Sequence, residues 1–148
     1  DCVFRDSLPE NVLGPNTLEV AHGKLGFTRV AVLYGDDDDY TRGDYDVFKT
    51  TLAVHGLQTV AVQTFQRGQK DFSAALSKVK ESAPDAIILS AFVDEAAPIL
   101  VQARHLGIPT SVRFIGGSGL ITPGLIEKAG AAAEGLLAGA AWHVDSPA

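Results

Sequence analysis

Asp85-Ala-Ile-Ile-Leu-Ser90 runs into Phe92-Val-Asp94, with helical patterns directly before and after it. Ile87, Ile88 and Leu89 leave this short run no face suited to water. A strand that is apolar on both faces belongs in a parallel sheet covered by helices on both sides. In open sheets of that kind, ligands bind beyond the carboxyl ends of the strands. Functional residues are therefore expected where strands end, here at Ser90, Phe92 and Asp94.

The flanking sequence alternates in the same way. Asn16 to Leu25 reads as a first helix, with Pro15 at its start and Gly26 as its stop. Val30 to Tyr34 is a buried strand closed by Gly35, followed by an acidic loop, Asp36 to Asp39, and Tyr40. Tyr45, Phe48 and Leu52 recur at helical spacing between Arg42 and His55. Thr59 to Phe65 is rich in β-branched residues and reads as the next strand. Asp71 is the expected N-cap of a helix with Phe72, Ala75, Leu76 and Val79 on its apolar face.

Beyond the quoted strand, Glu95 to Leu106 reads as a helix, with Pro98 in or near its first turn and Gly107 and Pro109 ending it. Arg113 to Ile115 is a short strand entering Gly116-Gly-Ser-Gly119, and Thr122-Pro123 opens a helix that reaches Lys128. Gly135 to Ala141 reads as a last strand, close-packed on a helix and followed by Trp142 and His143. The expected fold is a single three-layer α/β/α domain: a Rossmann-like open parallel sheet of strand order 2-1-3-4-5.

Bulk properties narrow the function. The 148 residues are 46% hydrophobic and 20% charged, a composition that builds a globular core. A net charge of −6 argues against nucleic acid, which calls for a basic stripe. No apolar run reaches the ~18 residues of a membrane span. The chain has no methionine and starts at Asp1, so it reads as a processed protein or a piece of a longer one. Its one cysteine, Cys2, offers neither an internal disulfide nor a metal site.

No catalytic constellation emerges. The aspartate run lacks the alternating ligands and final glutamate of an EF-hand. It also lacks the phosphoacceptor and lysine of a receiver domain, since Ser90 and Trp142 stand near those places. Gly116 to Gly119 matches neither a phosphate-binding loop nor a nucleophile elbow, because Leu120 follows. His22, His55 and His105 lie near helix ends, where the dipole favours them. No enzyme, cofactor or metal is expected. The strand ends instead gather Tyr40, Phe92 and Trp142 for stacking, Ser90 and Ser118 as hydroxyls, Gly117 for close backbone approach, and Asp39 and Asp94 as charges.

Arg29-Val-Ala-Val-Leu-Tyr-Gly-Asp36 through Tyr40 and Gly43, Gln69-Lys-Asp-Phe-Ser-Ala-Ala-Leu76 and Pro84-Asp-Ala-Ile-Ile-Leu89 together resemble the leucine/isoleucine/valine-binding family. Gln102-Ala-Arg104, Phe114-Ile-Gly-Gly117 and Ala129-Gly-Ala-Ala-Ala-Glu-Gly135 continue the resemblance in order. It implies the second lobe of a two-lobed, type I solute-binding protein of an ABC importer. Phe4-Arg5-Asp6 would be the incoming crossover and Trp142 to Ala148 the outgoing one. On this resemblance Tyr40 and Phe92 face the ligand, and Ser118 stands where leucine binders carry a glutamate for the ligand ammonium. A serine cannot neutralise that charge; Asp94 or a loop aspartate would substitute, or the solute would be an aromatic or aliphatic acid or an amide. The implied partners are a small solute and an ABC permease met by the intact protein. The implied place is periplasmic or extracellular, with a membrane-anchored lipoprotein as one form of the parent. A receptor sensor domain or the effector lobe of a lactose-repressor-type regulator is the alternative.

Overall fold

The computed structural model describes residues 8–140. Its elements alternate: α1 (Glu10–Leu25), β1 (Arg29–Gly35), α2 (Asp39–Val54), β2 (Gln58–Phe65), α3 (Ser73–Glu81), β3 (Ala86–Ser90), α4 (Val93–His105), β4 (Arg113–Gly116), α5 (Pro123–Ala129) and β5 (Leu137–Ala138). All pairings are parallel, in the order β2-β1-β3-β4-β5. This is the expected sheet, with β1 between β2 and β3. Every residue of β3 is buried.

Alternate residues of the central strands feed two cores. Val30, Val32, Ala86, Ile88 and Ile115 pack with Leu18, Phe48 and Leu52 of α1 and α2 on one face. Ala31, Leu33, Ile87, Leu89 and Phe114 pack with α3, α4 and α5 on the other, through Leu76, Val79, Ile99, Leu100 and Leu125. The amino ends of β1 and β3 are clasped by Asp85, whose Oδ2 accepts from the Thr28 and Arg29 amides at 3.0 Å each. Those amides hold its carboxyl below the usual range.

Several boundaries differ from the sequence reading. Helix α1 starts at Glu10, after Pro9, so Pro15 lies inside it rather than at its start. Pro98 likewise falls in the second turn of α4, which opens at Val93. Each proline forgoes one intrahelical hydrogen bond, and packing of the flanking turns carries the helix across the gap. Leu13, Leu18 and Ala21 in α1, and Ala97, Ile99 and Leu100 in α4, are all buried. Helix α2 begins at Asp39 rather than near Arg42, because Asp38 caps it.

Asp71 lies one position outside the cap of α3. Its Oδ1 still accepts from the Ser73 amide at 2.9 Å, while Gln102 Oε1 takes the Phe72 amide at 2.8 Å. Strand β5 spans only Leu137–Ala138 among the described residues, shorter than its apolar run implies. The close packing expected there is present: a Cβ on Gly139 would strike Thr17 of α1.

The end of β4 is equally tight. A Cβ on Gly116 would meet the Leu120 side chain and lie 2.9 Å from the Leu89 carbonyl oxygen. Gly116→Ala is therefore expected to destabilise the chain by about 1–3 kcal/mol, as overpacked core substitutions do. A urea titration would read this as a lower midpoint at unchanged slope; an unchanged midpoint would refute the close approach.

Candidate functional site

The strand order reverses between β1 and β3, and the amino end of α2 sits over that point. Asp38 Oδ1 accepts from the Tyr40 and Thr41 amides at 2.9 and 3.3 Å. Thr41 Oγ1 donates to the Gly35 carbonyl at 2.7 Å, and Ser90 Oγ donates to the Thr41 carbonyl at 3.0 Å. The first turn of α2 is thus bonded to the ends of both strands. It presents Tyr40 to Phe92, the N-cap residue of α4, with ring centroids 5.2 Å apart and planes 27° from parallel. The Arg67 guanidinium lies over the Phe92 ring at 5.3 Å, within cation–π range.

A second group of contacts joins α1 to the β4–α5 loop. Glu10 Oε1 accepts from Tyr40 Oη at 3.1 Å, from the Ser118 amide at 3.0 Å, and from Ser118 Oγ. The other oxygen, Oε2, is buried and has no hydrogen-bond partner among the described residues. Asp44, on the next turn of α2, is 3% exposed, and its Oδ1 is equally unpartnered. Both carboxyls converge on Gly117, where a Cβ would lie 3.0 Å from Glu10 Oε2 and 3.1 Å from Asp44 Oδ2. At φ −79 Gly117 is unstrained, so space rather than conformation demands glycine there.

Burial dominates the protonation of this group. It pushes the Tyr40 phenol up to about 12; the Ser118 hydroxyl opposes the rise, and the charges of Glu10 and Asp44 add to it. It pushes the Asp44 carboxyl up to about 7; the Ser90 hydroxyl opposes the rise and the Glu10 charge adds to it. Tyr40 therefore keeps its proton across the physiological range and remains a donor to Glu10.

Four of the sequence-derived candidates, Tyr40, Phe92, Ser118 and Gly117, are brought together here. Ser90 is buried and bonded to Thr41, so it braces the wall from behind. Asp39 is exposed and paired with Arg42. Asp94 pairs with Lys128 of α5 at 2.5 Å, which holds its carboxyl below the usual range. Trp142 and His143, like Phe4 to Asp6, lie outside the described residues.

The sequence reading missed Glu10, Asp44 and Arg67. Asp44 was legible in principle, as an acidic residue one turn from Phe48 on the helix's buried side. Glu10 and Arg67 reach their partners only through the fold. The acidic run is occupied locally: Asp37 takes the Arg67 amide at 2.9 Å, and Asp38 caps α2. Among the described residues, no three His, Cys, Asp or Glu side chains are grouped to hold a metal.

The aromatic wall is open. The concavity bounded by Gly35, Asp38, Arg67, Phe92 and Glu95 holds only about 10 Å³. A larger groove of about 470 Å³ lies elsewhere, between α1 and β5, and is lined by Leu13, Val20, Ala21 and Leu137. It is mostly apolar, and none of Tyr40, Phe92, Gly117 and Ser118 lines it, which makes it a poor candidate for solute recognition.

The family model for periplasmic binding proteins matches residues 9–148. The chain belongs to that family. An amino acid binding protein of Pseudomonas aeruginosa is 30% identical over 126 residues, which cover 85% of this chain and 32% of that protein. A leucine-, isoleucine-, valine-, threonine- and alanine-binding protein of the same organism is 28% identical, over 92% of this chain and 36% of that one. Among solved structures, a leucine binding protein of Thermotoga maritima superposes with a TM-score of 0.87 at 34% identity, covering 95% of this chain and 40% of that chain. The chain thus spans about a third of the length of the curated relatives it matches.

Asp44 gives this periplasmic binding protein a signature in pH. Its carboxyl titrates near 3.8 when unfolded and at about 7 when folded, so the folded state holds the proton more tightly. Stability from this group is full below the unfolded value and falls as pH rises through the folded one, by up to about 1.4 kcal/mol per pH unit. Asp44→Asn should remove that loss. Urea titrations from pH 4.5 to 8.5 are expected to show the variant gaining on the wild type up to about pH 7 and holding a constant lead above it. A difference independent of pH would refute the shift.

Proposed function

We propose that the chain is one lobe of a two-lobed solute-binding protein, which hands a branched-chain amino acid or related small solute to an ABC permease. The observation that carries this reading is the stacked Tyr40–Phe92 pair beside Ser118 and Gly117, at the carboxyl edge where the strand order reverses. Family membership and the leucine-binding relatives support it. So does a Streptococcus pneumoniae branched-chain amino acid binding protein in complex with isoleucine, which is 28% identical with a TM-score of 0.76.

In this reading the open aromatic wall is half of a cleft, and a second lobe supplies the other half by hinge closure. Tyr40 and Phe92 contribute apolar area, Gly117 and Ser118 contribute polar backbone and hydroxyl groups, and binding without chemical conversion is the activity. The protein works in the periplasm or outside the cell. No helix among the described residues is long and apolar enough to cross a membrane.

The test is calorimetry on the intact two-lobed protein with leucine, isoleucine and valine. Truncating a central aromatic contact typically costs ~2 kcal/mol, about thirtyfold in affinity. Phe92→Ala and Tyr40→Ala are each expected to weaken binding by that order while the protein still folds. Unchanged affinity in both variants would remove this wall from the site.

A further inference from the structure

Resting on the reading just given, we propose that Glu10 is the charge-selecting positioning residue of the cleft: it turns the Tyr40 and Ser118 hydroxyls into a purely accepting surface for the cationic nitrogen of an amino-bearing solute.

A hydroxyl has one proton to donate and lone pairs with which to accept. Tyr40 Oη and Ser118 Oγ both direct that proton at Glu10 Oε1. The Ser118 amide spends its proton on the same oxygen. With every donor turned inward, only lone pairs are left to face the open side. Tyr40 keeps this orientation at all physiological pH values, because burial holds its phenol protonated.

The charge behind the hydroxyls has no ion-pair partner among the described residues. Among the described residues, the ion pairs join Arg42 to Asp39, Arg67 to Asp38 and Lys128 to Asp94, and none reaches Glu10. Those pairs also occupy Asp94, Asp38 and Asp39 of the aspartates that the sequence offered as ammonium partners, while Asp37 accepts from the Arg67 amide and Asp36 from Gln66. Asp44, nine-tenths buried and with its Oδ1 unpartnered among the described residues, points at the same spot under Gly117. It adds negative potential or an unsatisfied acceptor, according to its protonation, and no cation. An ammonium meets this wall with three donors and a complementary charge. A carboxylate or ether oxygen would meet lone pairs with lone pairs.

Glu10→Gln tests the proposal because it keeps the shape and the acceptor for the Ser118 amide. Its Oε1 still accepts from both hydroxyls and the amide, while its amide nitrogen takes the place of the unpartnered Oε2 and the charge is removed, so the variant isolates the charge. The intact protein would be titrated with two series: leucine, isoleucine and valine, and their amino-free counterparts, 4-methylpentanoate, 3-methylpentanoate and 3-methylbutanoate. The wild type is expected to favour the amino series by about a hundredfold, and Glu10→Gln to lose about thirtyfold in that series alone. Ser118→Ala, at an exposed position, should reduce the same preference while its backbone amide and Tyr40 still bond Glu10.

Equal weakening of both series by Glu10→Gln would mean that Glu10 only props the loop, and would overturn the proposal. So would a wild type that binds the amino-free series as well as the amino series, which leaves the solute-binding reading intact. Binding of neither series would overturn that broader reading, and this one with it.

Discussion

Two-sided burial of β3 is the constraint on which the rest of the molecule depends. Five consecutive residues with no wet face admit only a sheet covered on both sides, and the coverings must be supplied by the chain segments between strands. Each connection then has to return to the same edge before the next strand starts, so all strands point the same way. Every strand accordingly ends at one rim. The aromatic pair, the β4–α5 loop and the first turn of α2 meet there because the core leaves them nowhere else to go.

The apolar strands were readable from sequence because their signal is local. Val30 to Tyr34 and Ala86 to Ser90 carry it in their own side chains, and their ends fell within a residue of the observed ones. Helix starts were less readable, for a reason visible in α1. Pro15 is a good local start signal, but the preceding turn is held by interactions with residues far along the chain: Tyr40 and Ser118 bind the Glu10 carboxylate. Tertiary bonds of that kind override local propensity, and no periodicity announces them.

The candidate site divides along the same line. Tyr40, Phe92, Gly117 and Ser118 follow strands, so topology alone nominated them. Ser90 also ends a strand, yet it turns inward, because β3 is buried along its whole length and its hydroxyl needs a partner. Asp39 and Asp94 have cations within reach on the surface and settle there. Glu10 has none among the described residues, and its charge became conspicuous only once the fold had placed it under two hydroxyls. Four adjacent aspartates look more suggestive in a sequence than one glutamate near a proline, but the fold reverses that ranking.

The bonds from Thr41 to Gly35 and from Ser90 to Thr41 reach beyond local geometry. They fasten the helix that bears Tyr40 to two strands of the core at once, so the aromatic wall is built on rigid elements rather than on a wandering loop. A surface of that kind surrenders little conformational entropy when something docks on it. The ordering cost of association then falls on whatever approaches the wall, and the wall acts as a fixed template against which the approaching group must find its register.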